Sequence, residues 1–501
     1  MKKIKNILFG GLLTLALAAC KKEYLATKPT DAVDNSLVFT TTQNADVALN
    51  GIYRYMFERT TAVTVNQQNK PGVGGIMLLQ DFLGEDLHIS TTNWFSAEAS
   101  WNAHRADNNI AVSYPYRTFY RIIGNANYII DNIDGASGSD EDKKRIKSEA
   151  LTLRGWAHYY LVQLFGKRYD AGAKPNAQLG VPLLLSSTDS NKPRATVEEV
   201  YAAVNKDLDD AIALSSVSRS NKSHINVWVT KGIKARVALT MQDYPNAIKY
   251  AKEVVDGNVF PLMSIADYQK GFNDNALSEY MWASMPSIDQ DDTFGSFFGQ
   301  IAYNANTSFM RANPKRINSA LYNLIPATDV RKSMWEPAPT VANFPLPATN
   351  FSRQPYMSRK FSVKLTEGSS LGDVPLMRSA EIYLILAEAY ANTPGSEASA
   401  QSTLFTLVSK RDPGAVISIS TGQALIDEII FQRRIELWGE GARWLDLKRL
   451  NQPLDRTKAP NFVSTAVAST MTIPAGDLKW QYLIPRAEME ANSGIAGQQN
   501  P

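Results

Sequence analysis

Arg433-Arg434-Ile435-Glu436-Leu437-Trp438-Gly439-Glu440-Gly441-Ala442-Arg443-Trp444-Leu445-Asp446-Leu447-Lys448-Arg449 is the segment on which the fold turns. Just upstream, Ile426, Ile429, Ile430, Arg433 and Leu437 recur at helical spacing, which predicts a helix that Gly439 and Gly441 bring to an end. Trp444, Leu445 and Leu447 then return the chain to an apolar interior. Arg433, Arg434, Glu436, Glu440, Arg443 and Asp446 are left around one turn, where opposite charges pair across the glycines. Partly buried charges require such partners. Nothing beside them supplies a nucleophile, so the segment reads as structural rather than as an anion or catalytic site.

Helical hairpins extend outward from it. Arg378 to Arg411 carries Tyr383, Leu386, Ala387 and Tyr390, then Ala400, Leu404 and Leu407. Lys231 to Val259 places Ala235 and Ala247 twelve apart, with Ala251 and Val254 beyond. Small residues at these spacings let paired helices approach closely and match the pattern of tetratricopeptide repeats. Thr196-Val197-Glu198-Glu199 is a capping box opening a helix to Leu214. Further helices are expected from Asp140-Glu141 to Gly166, across Phe119 to Ile133, and around Val47, Ile52, Tyr55 and Met56.

The expected fold is therefore mostly α, a scaffold of helical pairs concentrated in 114–259 and 374–450 with little β. Two stretches, 60–113 and 260–373, break the period and are expected to be loop-rich excursions. From Tyr280 to Phe361 the chain has 13 aromatics and 8 prolines in 82 residues, against a chain-wide aromatic share of 10%. That stretch is expected to be loop and short strand. Gly72, Gly74 and Gly75 lack the lysine of a phosphate-binding loop and are expected to form an ordinary glycine-rich loop.

The N-terminus is an address. Lys2, Lys3 and Lys5 precede an apolar run from Ile7 to Ala19, the order of a secretory signal. As a helix that run reaches only about 20 Å, short of a ~30 Å hydrocarbon core. Leu17-Ala18-Ala19-Cys20 resembles a bacterial lipobox, and Cys20 is the single cysteine of the 501 residues. Residues 1–19 then form a lipoprotein signal peptide, Cys20 is lipidated, and 20–35 is a polar tether to one domain over 36–501. Removal of 1–19 takes three lysines and no acid from a chain of formal charge +3, leaving it near neutral. A near-neutral chain has no electrostatic footprint for nucleic acid. With its thiol acylated, it has no disulfide, thiolate catalyst or cysteine-ligated metal.

No catalytic constellation stands out. His88, His104, His158 and His224 are scattered without ligand spacing. Asp289, Asp291 and Asp292 lack the glycine and terminal glutamate of an EF-hand loop. Asp81, Glu85 and Asp86 are the best glycosidase candidates, but one loop does not supply carboxylates on both sides of a cleft. They are expected to lie on a solvated or ligand-binding loop. The expectation is no enzyme, no metal and no cofactor. Binding rests on rings in polar surroundings: a sugar stacks its C–H face on an aromatic ring while amides, carboxylates or guanidinium groups grip its hydroxyls. Trp94 and Trp101, with Asn93, Arg105 and Asp81, form one candidate set. Trp282, Tyr303 and Trp335 form another.

The segment 433–449 resembles the SusD/RagB family of Bacteroidetes outer-membrane lipoproteins. The lipobox agrees with it, as do Arg378-Ser379-Ala380-Glu381-Ile382-Tyr383-Leu384, Asp329-Val330-Arg331 and Leu483-Ile484-Pro485. In that motif Arg433, Arg434, Glu436, Gly441, Arg443, Trp444 and Asp446 are the structural markers. The resemblance implies four tetratricopeptide-like helix pairs that pack on a SusC-like TonB-dependent transporter. It implies nutrient-binding loops on the opposite side and an outer-membrane location, lipid-anchored and facing the cell exterior. The implied ligand is an oligosaccharide or polysaccharide. Some relatives take peptides, and a glycoside hydrolase is the alternative from another class.

Overall fold

The computed structural model describes residues 39–59, 70–92, 94–348, 350–365 and 369–501. The expected signal peptide, Cys20 and the tether lie outside them. About half of the described residues are helical and 7% are strand, so helices carry the core. The principal helices are α1 (Thr42–Tyr55), α2 (Gly72–Leu83), α3 (Ile110–Asn132), α4 (Asp140–Phe165), α5 (Val197–Leu214), α6 (Val227–Thr240), α7 (Tyr244–Asp256), α8 (Ser379–Ala391), α9 (Glu397–Val408), α10 (Gly422–Glu436) and α11 (Arg443–Arg449).

From α3 onward each helix packs on its successor, α3 on α4, α4 on α5, α5 on α6, α6 on α7, and α7 on α8 although 122 residues separate them. This is a tetratricopeptide-like stack interrupted by the 260–373 excursion. Close approach depends on small residues: Ala235, Ala247, Ala251, Ala387 and Ala400 are buried. At Gly155 on α4 an added Cβ would stand 3.2 Å from the Asp207 Cβ on α5. Helix ends follow their caps. Thr196 and Glu199 make both bonds of the capping box, and Ser139 receives the Asp142 N–H with three acids in the first turn of α4.

Two local expectations are corrected. Val47 lies on the solvent side of α1, 71% exposed, while Ala45, Leu49, Ile52 and Tyr53 form the buried face. Gly72 to Gly75 is no loop, but the first turn of α2, a helix buried on every side. A helix without a polar face has no amphipathic period to read. Gly75 meets Pro71 and the Tyr114 hydroxyl, contacts that any side chain would obstruct.

The 260–373 excursion is built of short pieces. Strands β1 (Leu87–His88), β3 (Arg316–Ile317), β4 (Trp335–Glu336) and β5 (Met357–Ser358) form a four-stranded antiparallel sheet in the order β1-β3-β5-β4. β2 (Tyr280–Ser284) pairs with β6 (Val374–Arg378), which runs directly into α8. The excursion thus enters and leaves the helical stack through one ribbon.

Under that ribbon lies a buried charge cluster. Glu436 accepts from Arg411 at 3.1 Å, from Arg378 at 3.0 Å and from Arg331 at 3.3 Å. Glu279 accepts from Arg378, Lys360 and Arg378 both reach Glu440, and Asp329 chelates Arg331. Four cations meet four anions, so the cluster is neutral as a whole, which is the condition for burying it. Burial opposes ionisation of Glu436, yet Arg411, Arg378 and Arg331 hold its carboxyl far below the ordinary range.

Candidate ligand-binding face

Trp94 precedes Phe95, a non-glycine residue at φ 74°, and a short helix, Ser96–Ala99. The left-handed turn buries Phe95 against Phe82 and leaves Trp94 half-buried at the surface. Phe309 backs the Trp94 ring edge-on, with centroids 4.8 Å apart, and in turn meets half-buried Phe294 at 6.3 Å. Asn313 clamps the two loops together. Its Oδ1 accepts from the Ser90 N–H at 2.9 Å and its Nδ2 donates to the Trp94 carbonyl at 3.2 Å.

The same stretch of chain also supplies polar groups. Half-exposed Arg311 donates to the Asn306 side chain at 2.9 Å, and its carbonyl accepts from Ser352 N–H. Tyr303, also half-buried, stands edge-on to Phe344 at 5.4 Å, and the Arg359 guanidinium covers the Phe344 ring at 4.4 Å. Beneath all this the Lys315 ammonium donates to the carbonyls of Phe309 and Asn313 at 3.0 and 2.9 Å. Burial pushes that amine down to about 7.

Gly295, next to Phe294, lines an adjoining pocket of about 330 Å³ between the end of α1 and the 284–298 and 370–374 segments. Asp292 pairs with Arg59 on its wall, and Asp291 accepts from the Ser370 N–H. Rings flanked by amides, guanidinium groups and carboxylates are what a polyhydroxylated ligand with apolar C–H faces requires.

The sequence candidates divide. Trp94 and Tyr303 are half-buried at the surface. Asn93 lies outside the described residues. Trp101 is 0% exposed, donates its indole N–H to the Leu83 carbonyl and packs edge-on to Trp480. Trp282 is 0% exposed beside Trp156 and Trp335 is 1% exposed beside Trp438. None of these three offers a ring face to a ligand, and they are corrected to core residues. Arg105 is spent on carbonyls near the C-terminus, those of Leu478, Gln481 and Pro501.

The acidic trio is corrected as well, from a solvated loop to an internal joint. Asp81 is 3% exposed on α2. Burial, aided by the Asp86 and Glu440 charges, raises its carboxyl well above the usual value against the lowering effect of the Gly441 hydrogen bond. Glu85 pairs with Arg443 and Asp86 with Arg434, each at 2.6 Å. Arg433 and Arg449 both reach Asp446, and Trp444 is fully buried. Phe309, Phe294, Asn313 and Arg311 escaped sequence reading. The aromatic density of 280–361 was their only signal, and no period distinguishes a surface ring from a core ring there. Among the described residues no three His, Cys, Asp or Glu side chains cluster as metal ligands, and no helix is long and apolar enough to cross a membrane.

Comparison with known proteins agrees with this architecture. A family model described as starch-binding and associating with the outer membrane matches residues 60–239, and the SusD family model matches residues 273–501. A SusD-like protein of Formosa agariphila, P2, is 26% identical, the alignment covering 90% of this chain and 91% of that one. Among solved structures, a SusD-like carbohydrate-binding protein from Bacteroides vulgatus superposes with a TM-score of 0.77 at 25% identity, over 92% of this chain and 99% of that one. A SusD superfamily protein from Bacteroides thetaiotaomicron gives 0.77 at 26% identity, over 92% and 100%.

Proposed function

The chain belongs to the SusD/RagB family, and from that premise we propose that it binds a nutrient glycan at the outer membrane and delivers it to a SusC-like TonB-dependent transporter. The observation that carries the glycan assignment is the half-buried Trp94 ring, braced from behind by Phe309 and fixed at its carbonyl by Asn313. A braced ring keeps one orientation before the ligand arrives, so little side-chain freedom is lost on stacking. Arg311 and Asn306, on the same 303–313 stretch that carries Phe309 and Asn313, suit sugar hydroxyls.

The protein acts as a binder and lid, not as a hydrolase. Glycoside cleavage needs two carboxylates facing each other across a cleft. The trio nominated for that role is closed off in the joint between α2 and 433–443, where each carboxylate already has a partner. Cys20 is the lipid attachment point, and 20–35 ties the lid to an outward-facing membrane surface. Two acyl chains or more make such an anchor stable where one is marginal.

Calorimetry of the protein beginning after Cys20, against a panel of polysaccharides and oligopeptides, tests the reading. Saturable glycan binding weakened about tenfold by Trp94→Ala is expected. Binding to peptides alone would transfer the face to a peptide ligand. Product release from a labelled glycan would overturn the lid in favour of a hydrolase.

A further inference from the structure

A second cavity, of about 540 Å³, opens between α3, the 182–191 segment and the short helix Arg486–Ala491, and shares no lining residue with the pocket beside Phe294. Its volume falls within the range of small-molecule sites. Arg117 and Arg121 stand one turn apart on α3 along one wall. Arg121 is exposed, lies 5.0 Å over the Tyr55 ring, and has no hydrogen bond or ion pair with the described residues. Tyr116 and Tyr120 pack beside them, their rings tilted at 45° with centroids 4.5 Å apart.

The telling group is the Tyr116 hydroxyl. The residue is 3% exposed, and its hydroxyl, near Tyr120 and Glu488, forms no hydrogen bond of acceptable geometry with either. A buried hydroxyl left unpaired is costly and calls for a partner from the cavity. Tyr120, whose own hydroxyl donates to the Pro182 carbonyl at 2.8 Å, and Glu488 flank it on the cavity wall.

We infer that this cavity is a second ligand site, for a saccharide unit bearing one carboxylate or sulfate. The two guanidinium groups seat the anion, the half-buried Tyr120 ring takes the apolar face of the sugar, and the Tyr116 hydroxyl and Asn191 bond its hydroxyls. Glu488, which also lines the cavity, accepts a sugar hydroxyl and repels a second anion, so the site takes a single charge. The choice of a saccharide rests on the function proposed above; the anionic seat does not, since it stands on Arg117, Arg121 and Tyr116.

Calorimetry with a galacturonate disaccharide, a neutral glucose disaccharide and inorganic sulfate separates the cases. The uronate is expected to bind, more weakly at higher salt, and to lose about tenfold or more in Arg117→Gln/Arg121→Gln. Tyr116→Phe should weaken it less, without changing the melting temperature appreciably, and Trp94→Ala should leave it unchanged. Loss in Trp94→Ala with none in the arginine variant would overturn the second site while supporting the first. Uronate binding equal in wild type and arginine variant, or absent at millimolar concentration, would overturn the proposal. Full displacement by equimolar sulfate would make the seat one for free anions and overturn the saccharide assignment.

Discussion

Gly441 donates its backbone N–H to Asp81 Oδ2 at 2.8 Å, joining residues 360 positions apart. With Arg434 on Asp86 and Arg443 on Glu85, this bond locks α2 to the glycine turn after α10. The loop-rich N-terminal excursion and the C-terminal motif are therefore one mechanical unit, and the candidate ligand face built on Phe95 and Trp94 stands on it.

Asp81→Asn keeps an acceptor for Gly441 and removes a carboxyl whose ionisation the burial opposes. Its stability at pH 7 should match the wild type within about 1 kcal/mol, whereas Asp81→Ala, which orphans the Gly441 N–H, should cost about 1–3 kcal/mol. Urea denaturation of the two variants distinguishes them.

Gly441→Ala should destabilise by about 1–3 kcal/mol or more. Its φ is +79°, and a Cβ there would come within 2.8 Å of the Met77 Cβ and 2.9 Å of the Met77 Cα. Gly124→Ala is the contrast, because nothing lies within 4 Å of a Cβ on that helical residue. It should stabilise by about 0.4–1 kcal/mol. Thermal melts of both variants check the pair.

Glu436→Gln should cost about 3–5 kcal/mol, since it leaves Arg331, Arg378 and Arg411 with one anion fewer in a sealed interior. Equilibrium unfolding is the measurement, and a loss below about 1 kcal/mol would contradict the cluster's role.

Acid should unfold the protein through the same groups. Burial opposes ionisation of all three carboxyls, but Arg411, Arg378 and Arg331 at Glu436, Arg378 and Lys360 at Glu440, and Arg433 and Arg449 at Asp446 outweigh it and keep each below its ordinary value. The unfolded chain then takes up protons first. The stability they contribute is fully present above the unfolded values of 4.5 and 3.8 and is lost as pH falls below them. The urea midpoint should fall steadily from about pH 4.5 downward, and Glu436→Gln should flatten that slope.

Trp94→Ala and Trp101→Ala should separate function from packing. The first removes a surface ring and should lower glycan affinity about tenfold with little change in melting temperature. The second empties a fully buried site and should cost about 3–5 kcal/mol. Calorimetry and denaturation on both variants decide whether the two rings differ in this way.

What the sequence settled alone was whatever repeats locally. The capping box at Thr196, the glycine stop at Gly166 and the paired alanines of α6 and α7 each rest on neighbours three to twelve residues away, so helix pairs were legible, as was the ion-paired character of the 433–449 turn. Only the tertiary structure decided which rings reach the surface. Trp94 and Trp101 sit seven residues apart in the same polar stretch, yet one is half-buried at the surface and the other is sealed under Trp480. That difference comes from Phe309, Asn313 and the C-terminal segment, partners more than 200 residues distant, and burial by distant chain leaves no period in the sequence to read.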